Sequence, residues 1–335
     1  MDKSQTLILK GVAILMMLYL HLFNTLDATS ELCENFIYIS GLPFSYILTR
    51  CANPVIIYII LSGYGLYRSY SVSKLPPHGC NSIKRVIKLY IHYWITLLIF
   101  IPICSWVNPA KYPGGIIDIV SNMTGWHTTY NGEIWFLFPY ACLILCSESV
   151  FRVVNRVPRL SILCSIAFYL VTYYICWRYG AFLRANIWVY KIVLVANFLL
   201  PFVIGVFLAK YQIIEQTKKL FRNRTPLLLS LLVLAVFLRC CTNFDAIHII
   251  YSSILVVLLA AIDFPDKFKE IFSMLGKRST SMWFVHTYFC YYLFRDFIYG
   301  FRYPLIIFVV LVAVSYMVSI VVDYINQRVQ RTIFA

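Results

Sequence analysis

The chain contains ten apolar segments, most of them close to the roughly 20 residues that a helix needs to cross a bilayer. With 61% hydrophobic and 13% charged residues, it has more apolar surface than a soluble protein of this size buries. We therefore predict an all-α fold, a polytopic transmembrane helix bundle forming one membrane-embedded domain over residues 1–335. The predicted spans are 7–26, 47–67, 88–107, 134–151, 160–177, 187–208, 226–240, 246–262, 280–298 and 303–325.

The basic residues predict how these spans are oriented. Cytoplasmic loops of membrane proteins are enriched in lysine and arginine. With the N-terminus placed in the cytoplasm, 21 of the 29 lysines and arginines fall in cytoplasmic segments and 8 in outer ones. We therefore predict an N-in, C-in topology. The net charge of +15 is then a property of the membrane protein's loops, and we predict no nucleic-acid partner because no nucleic-acid-binding motif accompanies it.

The eleven cysteines predict no metal site. No CxxC motif and no Cys/His spacing typical of zinc is present. Most of the cysteines lie in or beside apolar segments, where cysteine behaves as a small hydrophobic residue. Cys33 and Cys51 both fall on the predicted outer side, and whether they pair stays open.

A histidine lies deep in the first apolar segment. His21 follows Lys10 by eleven residues, which is roughly 16 Å along a helix. Ionisable groups at membrane depth usually mark a functional site, although a hydrogen-bonded packing histidine is the alternative. Asn24, three residues further on, is on the same helix face and could orient the ring.

A second histidine, His286, follows a predicted cytoplasmic turn at Gly276–Lys277. We expect it about two turns into its helix, entering from the leaflet opposite to His21. Near the other end of the chain, Ser62, Gly63 and Gly65 indicate close helix packing rather than a nucleophile, since no G-x-S-x-G motif surrounds Ser62.

Two further groups are candidates for ligand binding. Arg85, Lys88 and His92 share one helical face at the cytoplasmic end of the third span. That face could hold an anionic cofactor or could be ordinary flanking charge. On the outer side, the loop 108–132 is long enough for a lid or binding loop, and Glu133 follows it. Trp106, Trp126 and Trp135 could stack on sugar rings or form an interfacial aromatic belt.

In their order along the chain, these motifs resemble the acyltransferase-3 family of membrane acyltransferases. Lysine stands at positions 10 and 88, where the family commonly has arginine, and lysine lacks the bidentate guanidinium fork. The matching motifs are Lys10-Gly11-Val12-Ala13 with His21, Leu61-Ser62-Gly63-Tyr64, Arg85-Val86-Ile87-Lys88 followed by Tyr93-Trp94, Ile134-Trp135-Phe136-Leu137, Gly276-Lys277-Arg278-Ser279 and Trp283-Phe284-Val285-His286.

The resemblance implies transfer of an acyl group, usually acetyl from acetyl-CoA, to a carbohydrate hydroxyl at the bacterial cytoplasmic membrane. It implies that His21 is the general base or the first acyl acceptor, with Glu133 as the second catalytic residue, orienting His21 or the acceptor. Asn24, Trp126 and Trp135 are then expected to bind the acceptor. The residues expected to bind the acyl-CoA donor are Lys10, Arg68, Arg85, Lys88 and His286.

Two other functions stay open on the sequence. Ten spans with polar residues at membrane depth also suit a transporter or flippase of a glycan intermediate, although no inverted repeat is present. A membrane sensor or assembly partner without chemistry is the other alternative. The acyl group, the acceptor glycan and association into a homo-oligomer are not defined by the sequence.

Overall fold

A computed structural model describes residues 1–72 and 78–334, with only the backbone described at 78–80. Lys74, one of the residues in the predicted cytoplasmic set, lies outside the described residues. The described chain is almost entirely helical, so the predicted all-α class is confirmed. Its helices are α1 (Lys3–Phe23), α2 (Leu26–Glu31), α3 (Phe44–Thr49), α4 (Pro54–Val72), α5 (His78–Val107), α6 (Ile116–Met123), α7 (Leu137–Arg156), α8 (Pro158–Arg178), α9 (Gly180–Ala185), α10 (Ile187–Lys210), α11 (Ile213–Leu220), α12 (Thr225–Cys240), α13 (His248–Ala261), α14 (Asp266–Thr287), α15 (Arg295–Tyr299) and α16 (Pro304–Phe334).

Short elements connect these helices. Two-residue strands β1 (Tyr38–Ile39) and β2 (Leu42–Pro43) pair in an antiparallel hairpin. Single turns of 3₁₀-helix span Gly132–Ile134 and Asp245–Ile247, and a π-helix at Tyr288–Tyr292 continues α14. The outer loop predicted at 108–132 contains α6.

Seven helical segments in the described residues are long and apolar enough to cross a membrane. The predicted spans 226–240 and 246–262 are present as the apolar helices α12 and α13, which are shorter than these seven. The polytopic helical bundle is therefore confirmed, while the count of ten spans and the N-in, C-in orientation stay predictions. The seven are Lys3–Phe23, Phe44–Val72, Asn81–Val107, Gly132–Arg156, Pro158–Arg178, Ile187–Lys210 and Pro304–Phe334.

The ninth predicted span begins much earlier than expected. We predicted its start at residue 280 after a turn, but α14 begins at Asp266, and Gly276 and Lys277 lie inside the helix. The first half of α14 is too polar to be recognised from the sequence as part of an apolar span. Its lysine, glutamate and leucine residues nevertheless favour helix, so the helix extends beyond the apolar stretch. The predicted turn at Gly276–Lys277 is therefore wrong.

Glycines allow the closest helix crossing in the bundle. Helix α1 has its most extensive contacts with α14. A Cβ added to Gly11 would collide with the Phe272 carbonyl, and one added to Gly276 would collide with the Leu7 carbonyl. Since His21 and His286 meet further along the same two helices, α1 and α14 run parallel. Small residues permit such backbone approach in membrane helices.

A second close crossing joins α4 to α10. Added Cβ atoms at Gly63 and Gly205 would collide with the carbonyls of Phe202 and Ile60. The predicted packing role of Gly63 is therefore confirmed, whereas Gly65 faces open space. Helices α1, α4, α10 and α14 thus form the centre of the bundle. Helix α8 and helix α12 have mainly exposed apolar side chains, as lipid-facing helices do.

Candidate active site

His21 lies in the last turn of α1, two residues before the helix ends at Phe23. Its Nδ1 is 3.6 Å from Glu133 Oε2 and 3.4 Å from the Tyr291 hydroxyl. Tyr291 also donates to the His21 backbone carbonyl, one of the carbonyls that a helix C-terminus leaves unpaired. The His21 side chain is 11% exposed, so the ring is held firmly but is not sealed from its surroundings.

Glu133 lies in the 3₁₀ turn just before α7. Its backbone N–H donates to Asn131 Oδ1 at 3.2 Å, and its backbone carbonyl accepts from Trp283 Nε1 at 3.4 Å. The neighbouring Gly132 N–H donates to the Tyr292 hydroxyl at 2.9 Å. Hydrogen bonds to α14 and to the π-helix therefore fix the turn, and the turn holds the carboxylate against His21.

His286 completes the group, with its ring centroid 5.1 Å from that of His21. It is completely buried. Its Nδ1 donates to the carbonyls of Trp283 (2.9 Å) and Met282 (3.1 Å), which assigns the proton to Nδ1. Its Nε2 has no hydrogen-bond partner among the described residues and is available as an acceptor.

The expectation that His286 enters from the opposite leaflet is therefore wrong. The early start of α14 at Asp266 places His286 about twenty residues into a helix that runs parallel to α1. The two imidazoles consequently lie at the same depth. His286 is part of the His21 site, far along α14 from the lysine- and arginine-rich end where a donor nucleotide was expected.

The residues expected to bind the acceptor occupy different places. Asn24 caps α1 and is exposed, and within the described chain it has no hydrogen bond to the His21 ring. Trp135 packs against Phe136 and Phe198. Trp126 packs edge-on against Trp188 at a centroid distance of 4.5 Å. Neither tryptophan touches the His21 ring in the described structure.

Lys191 of α10 joins the segments that contain these two tryptophans. Its side chain is buried, and Nζ donates to the carbonyls of Gly125 and Trp135, at 3.1 Å each. The loop that contains Trp126 is thereby tied to the turn that positions Glu133. A lone lysine in an apolar segment is the sequence feature that could have identified this residue.

At the lysine- and arginine-rich end, the three residues of the predicted basic face have different neighbours. Arg85 lines a polar pocket between α4, α5 and α7, together with Ser69, Ser147 and Glu148. Lys88 instead lies over the Phe334 ring at 5.0 Å. His92 faces inward, as described below.

The other two cations expected to bind the donor are near that same end. Arg68 is exposed near the end of α4. Lys10 is half-buried on α1. Eleven residues make almost three full helical turns, so Lys10 projects from the same side of α1 as His21, roughly 16 Å away.

A buried polar cluster, which the sequence reading did not identify, lies between α5, α14 and α16. His92 Nε2 is 2.7 Å from Ser281 Oγ, and Ser281 donates to Asp323. Asp323 also accepts from Arg278 at 2.9 Å and lies 3.7 Å from His92. Asp323 is the only charged residue of the predicted span 303–325, which is a sequence feature that could have revealed the cluster.

The described residues contain no group of three or more His, Cys, Asp or Glu side chains arranged to hold a metal ion. What His21, Glu133 and His286 can do together is accept and move a proton. A carboxylate against one imidazole nitrogen leaves the other nitrogen free to act as a base.

Residues 8–324 match the family Acyl_transf_3, described as an acyltransferase domain. Comparison with curated proteins and with solved structures gives no match.

Proposed function

The chain belongs to the acyltransferase-3 family, and from that premise we propose that it transfers an acetyl group from acetyl-CoA to a hydroxyl of a cell-surface carbohydrate in the bacterial cytoplasmic membrane. The family match identifies an acyltransferase, and the helices identify a multi-pass membrane protein. The donor, the acceptor and the particular membrane are our proposal. The observation that supports it best is the contact between His21 and Glu133, with His286 alongside.

In the proposed reaction His21 is the general base. Glu133 lies on the Nδ1 side of the ring and favours the tautomer with its proton on Nδ1, leaving Nε2 free. Nε2 takes the proton from the acceptor hydroxyl while the hydroxyl oxygen attacks the thioester carbonyl. The tetrahedral intermediate collapses, the C–S bond breaks, and His21 returns the proton to the leaving thiolate.

The donor enters from the lysine- and arginine-rich end in this proposal. Arg85 in its polar pocket is suited to a phosphate, since guanidinium pairs strongly with phosphate oxygens. Ser147 in that pocket and Glu133 at the other end belong to one helical span, Gly132–Arg156. Fourteen residues of helix separate them by roughly 21 Å, a distance suited to the long, extended arm of CoA.

One polar contact lies between these two ends. The hydroxyls of Ser62 on α4 and Tyr140 on α7 are 2.7 Å apart. Ser62 is thus a packing and hydrogen-bonding residue, as the sequence analysis favoured. In this proposal it also offers a polar contact to the extended arm of CoA, between Arg85 and His21. The family match favours this enzyme over the transporter and over a sensor without chemistry.

The test is acyl-CoA turnover by purified protein in liposomes, with radiolabelled acetyl-CoA and detection of the free thiol. We expect CoA release that His21→Ala abolishes and that His127→Ala, a change to an exposed loop histidine, preserves. Binding of CoA is measured in the same samples. Turnover that survives in well-folded His21→Ala protein would refute His21 as the base, and well-folded wild type that neither binds nor cleaves acetyl-CoA would refute the proposed donor.

A further inference from the structure

Two cysteines from distant parts of the chain meet at one end of the bundle. The sulfur atoms of Cys51 and Cys240 are 3.0 Å apart, although 189 residues separate them. The ten cysteines whose side chains are described are all free thiols. The Cys33–Cys51 pairing that the sequence left open is not formed, and the thiol beside Cys51 belongs to Cys240.

Hydrogen bonds hold the two segments in register. Arg50 donates from its guanidinium to the Cys240 carbonyl at 2.9 Å, and the Cys51 thiol is 3.4 Å from the Val236 carbonyl. A disulfide has an S–S bond of about 2.05 Å, so the two sulfurs must approach by only roughly 1 Å. Because hydrogen bonds already hold the flanking backbone in place, we expect side-chain rotation to bring the two sulfurs together.

The pair lies in the same half of the bundle as His21. Cys51 lines a small cavity with Met16 and Tyr19 of α1, and Cys240 is the last residue of α12. Under the predicted N-in orientation, this half faces the outer side of the membrane. Disulfides form and persist on that side and are rare in the cytoplasm.

We propose that Cys51 and Cys240 are a covalent modification site and form a disulfide that ties the start of α4 to the end of α12. Helix α12 has only two buried residues, Leu228 and Arg239, so few contacts anchor it. A cross-link that closes so long a loop restricts the unfolded chain strongly. It therefore anchors a weakly packed helix to the segment that leads into α4, one of the central helices of the bundle.

The oxidant is an exchangeable disulfide, either of a protein thiol oxidase or of a small molecule. The Cys240 thiolate, the more accessible of the pair, attacks one sulfur of that disulfide and displaces its first thiol. The Cys51 thiolate then attacks the Cys240 sulfur and displaces the second. The two cysteines lose two electrons and two protons, and the oxidant is released as two thiols.

The test is a peptide map of purified full-length protein in detergent. The protein is incubated with oxidised glutathione, free thiols are blocked with N-ethylmaleimide, and an unreduced digest is analysed by mass spectrometry. We expect most of Cys51 and Cys240 in one linked peptide pair that dithiothreitol releases, with Cys33 alkylated. Recovery of Cys51 and Cys240 as alkylated thiols, or linkage of either to Cys33 or Cys241, would overturn the proposal.

Single substitutions give the matched controls. Cys33→Ser removes a buried thiol of the same outer region and should leave the linked pair intact. Cys51→Ser should remove the linked pair and leave Cys240 in a mixed disulfide with glutathione or as an alkylated thiol. A linked pair that requires Cys33 would contradict the assignment. Because the decisive map uses the wild-type chain, poor folding of a variant does not affect it.

Discussion

The rings of His21 and His286 lie 5.1 Å apart although 265 positions separate them in the sequence. The contact exists because α1 and α14 run parallel and cross closely at Gly11 and Gly276. The candidate active site is therefore a property of this helix pair, and Glu133 is added to it by a turn that hydrogen-bonds to α14.

Glu133→Gln tests the role of the carboxylate. The amide keeps the size of the side chain but loses the charge that favours the Nδ1–H tautomer of His21. We expect kcat to fall roughly 10²-fold with little change in the KM for the acyl donor, measured by steady-state thiol release. The control is Glu31→Gln, a change to an exposed glutamate in the neighbouring helix α2. Equal kcat values for Glu133→Gln and wild type would remove Glu133 from the catalytic group.

Arg85→Gln tests the donor pocket. If Arg85 pairs with a phosphate of CoA, its neutralisation costs one charge-assisted hydrogen bond and weakens CoA binding roughly 10-fold. Lys88→Gln removes the same charge from the same helix, but Lys88 lies over Phe334 and outside the pocket. We therefore expect a much smaller effect from Lys88→Gln in isothermal titration with CoA. Identical effects would indicate a general electrostatic attraction rather than a site at Arg85.

Gly276→Ala tests the α1–α14 crossing. The new methyl group would collide with the Leu7 carbonyl, and overpacking of this kind costs about 1–3 kcal/mol. We expect a lower melting temperature in detergent and reduced turnover, because His286 shifts relative to His21. The matched control is Gly65→Ala, where an added Cβ meets nothing and helix propensity improves. A melting temperature for Gly276→Ala at or above that of Gly65→Ala would contradict the close crossing.

Asp323→Asn tests the buried cluster. The change leaves the Arg278 guanidinium without its carboxylate, and loss of one partner from a buried ion pair is strongly destabilising. Because Arg278 is partly exposed, we expect a loss of about 2 kcal/mol, which for a chain of 335 residues lowers the melting temperature by about 3 °C. Asp263→Asn, which breaks an exposed pair with Lys269, should change stability by less than about 1 kcal/mol. Similar losses of stability in both variants would refute a stabilising role for the buried cluster.

Much of the fold was predictable because apolar length alone identifies a spanning helix. The helices Pro158–Arg178 and Ile187–Lys210 match their predicted segments 160–177 and 187–208 to within two residues at each end. Apolar length did not identify the start of α14, because the first half of this helix is polar. The error in that boundary placed the predicted His286 at the wrong depth in the membrane. Helix ends that project beyond an apolar stretch leave no hydropathy signal, so only the three-dimensional packing of α14 against α1 locates them.

The candidate site was partly predictable for a different reason. His21 and Glu133 stood out because ionisable residues are rare in apolar surroundings. Their partnership, and the separation of Arg85 from Lys88, depend on the rotation of each helix about its axis. Tertiary packing sets that rotation. The same holds for His92, whose side chain lies beside Asp323 instead of sharing a ligand-binding face with Arg85 and Lys88.

The parallel pairing of α1 with α14 also has a consequence for biogenesis. Helix α1 meets its main partner only after some 260 further residues have been synthesised. Until then the glycine surface of α1 lacks the helix that it packs against, the His21 ring lacks its neighbours His286 and Tyr291, and the carboxylate turn has no α14 to dock on. Activity is thus withheld from every nascent intermediate, and a chain truncated before α14 is expected to be inserted in the bilayer yet chemically inert.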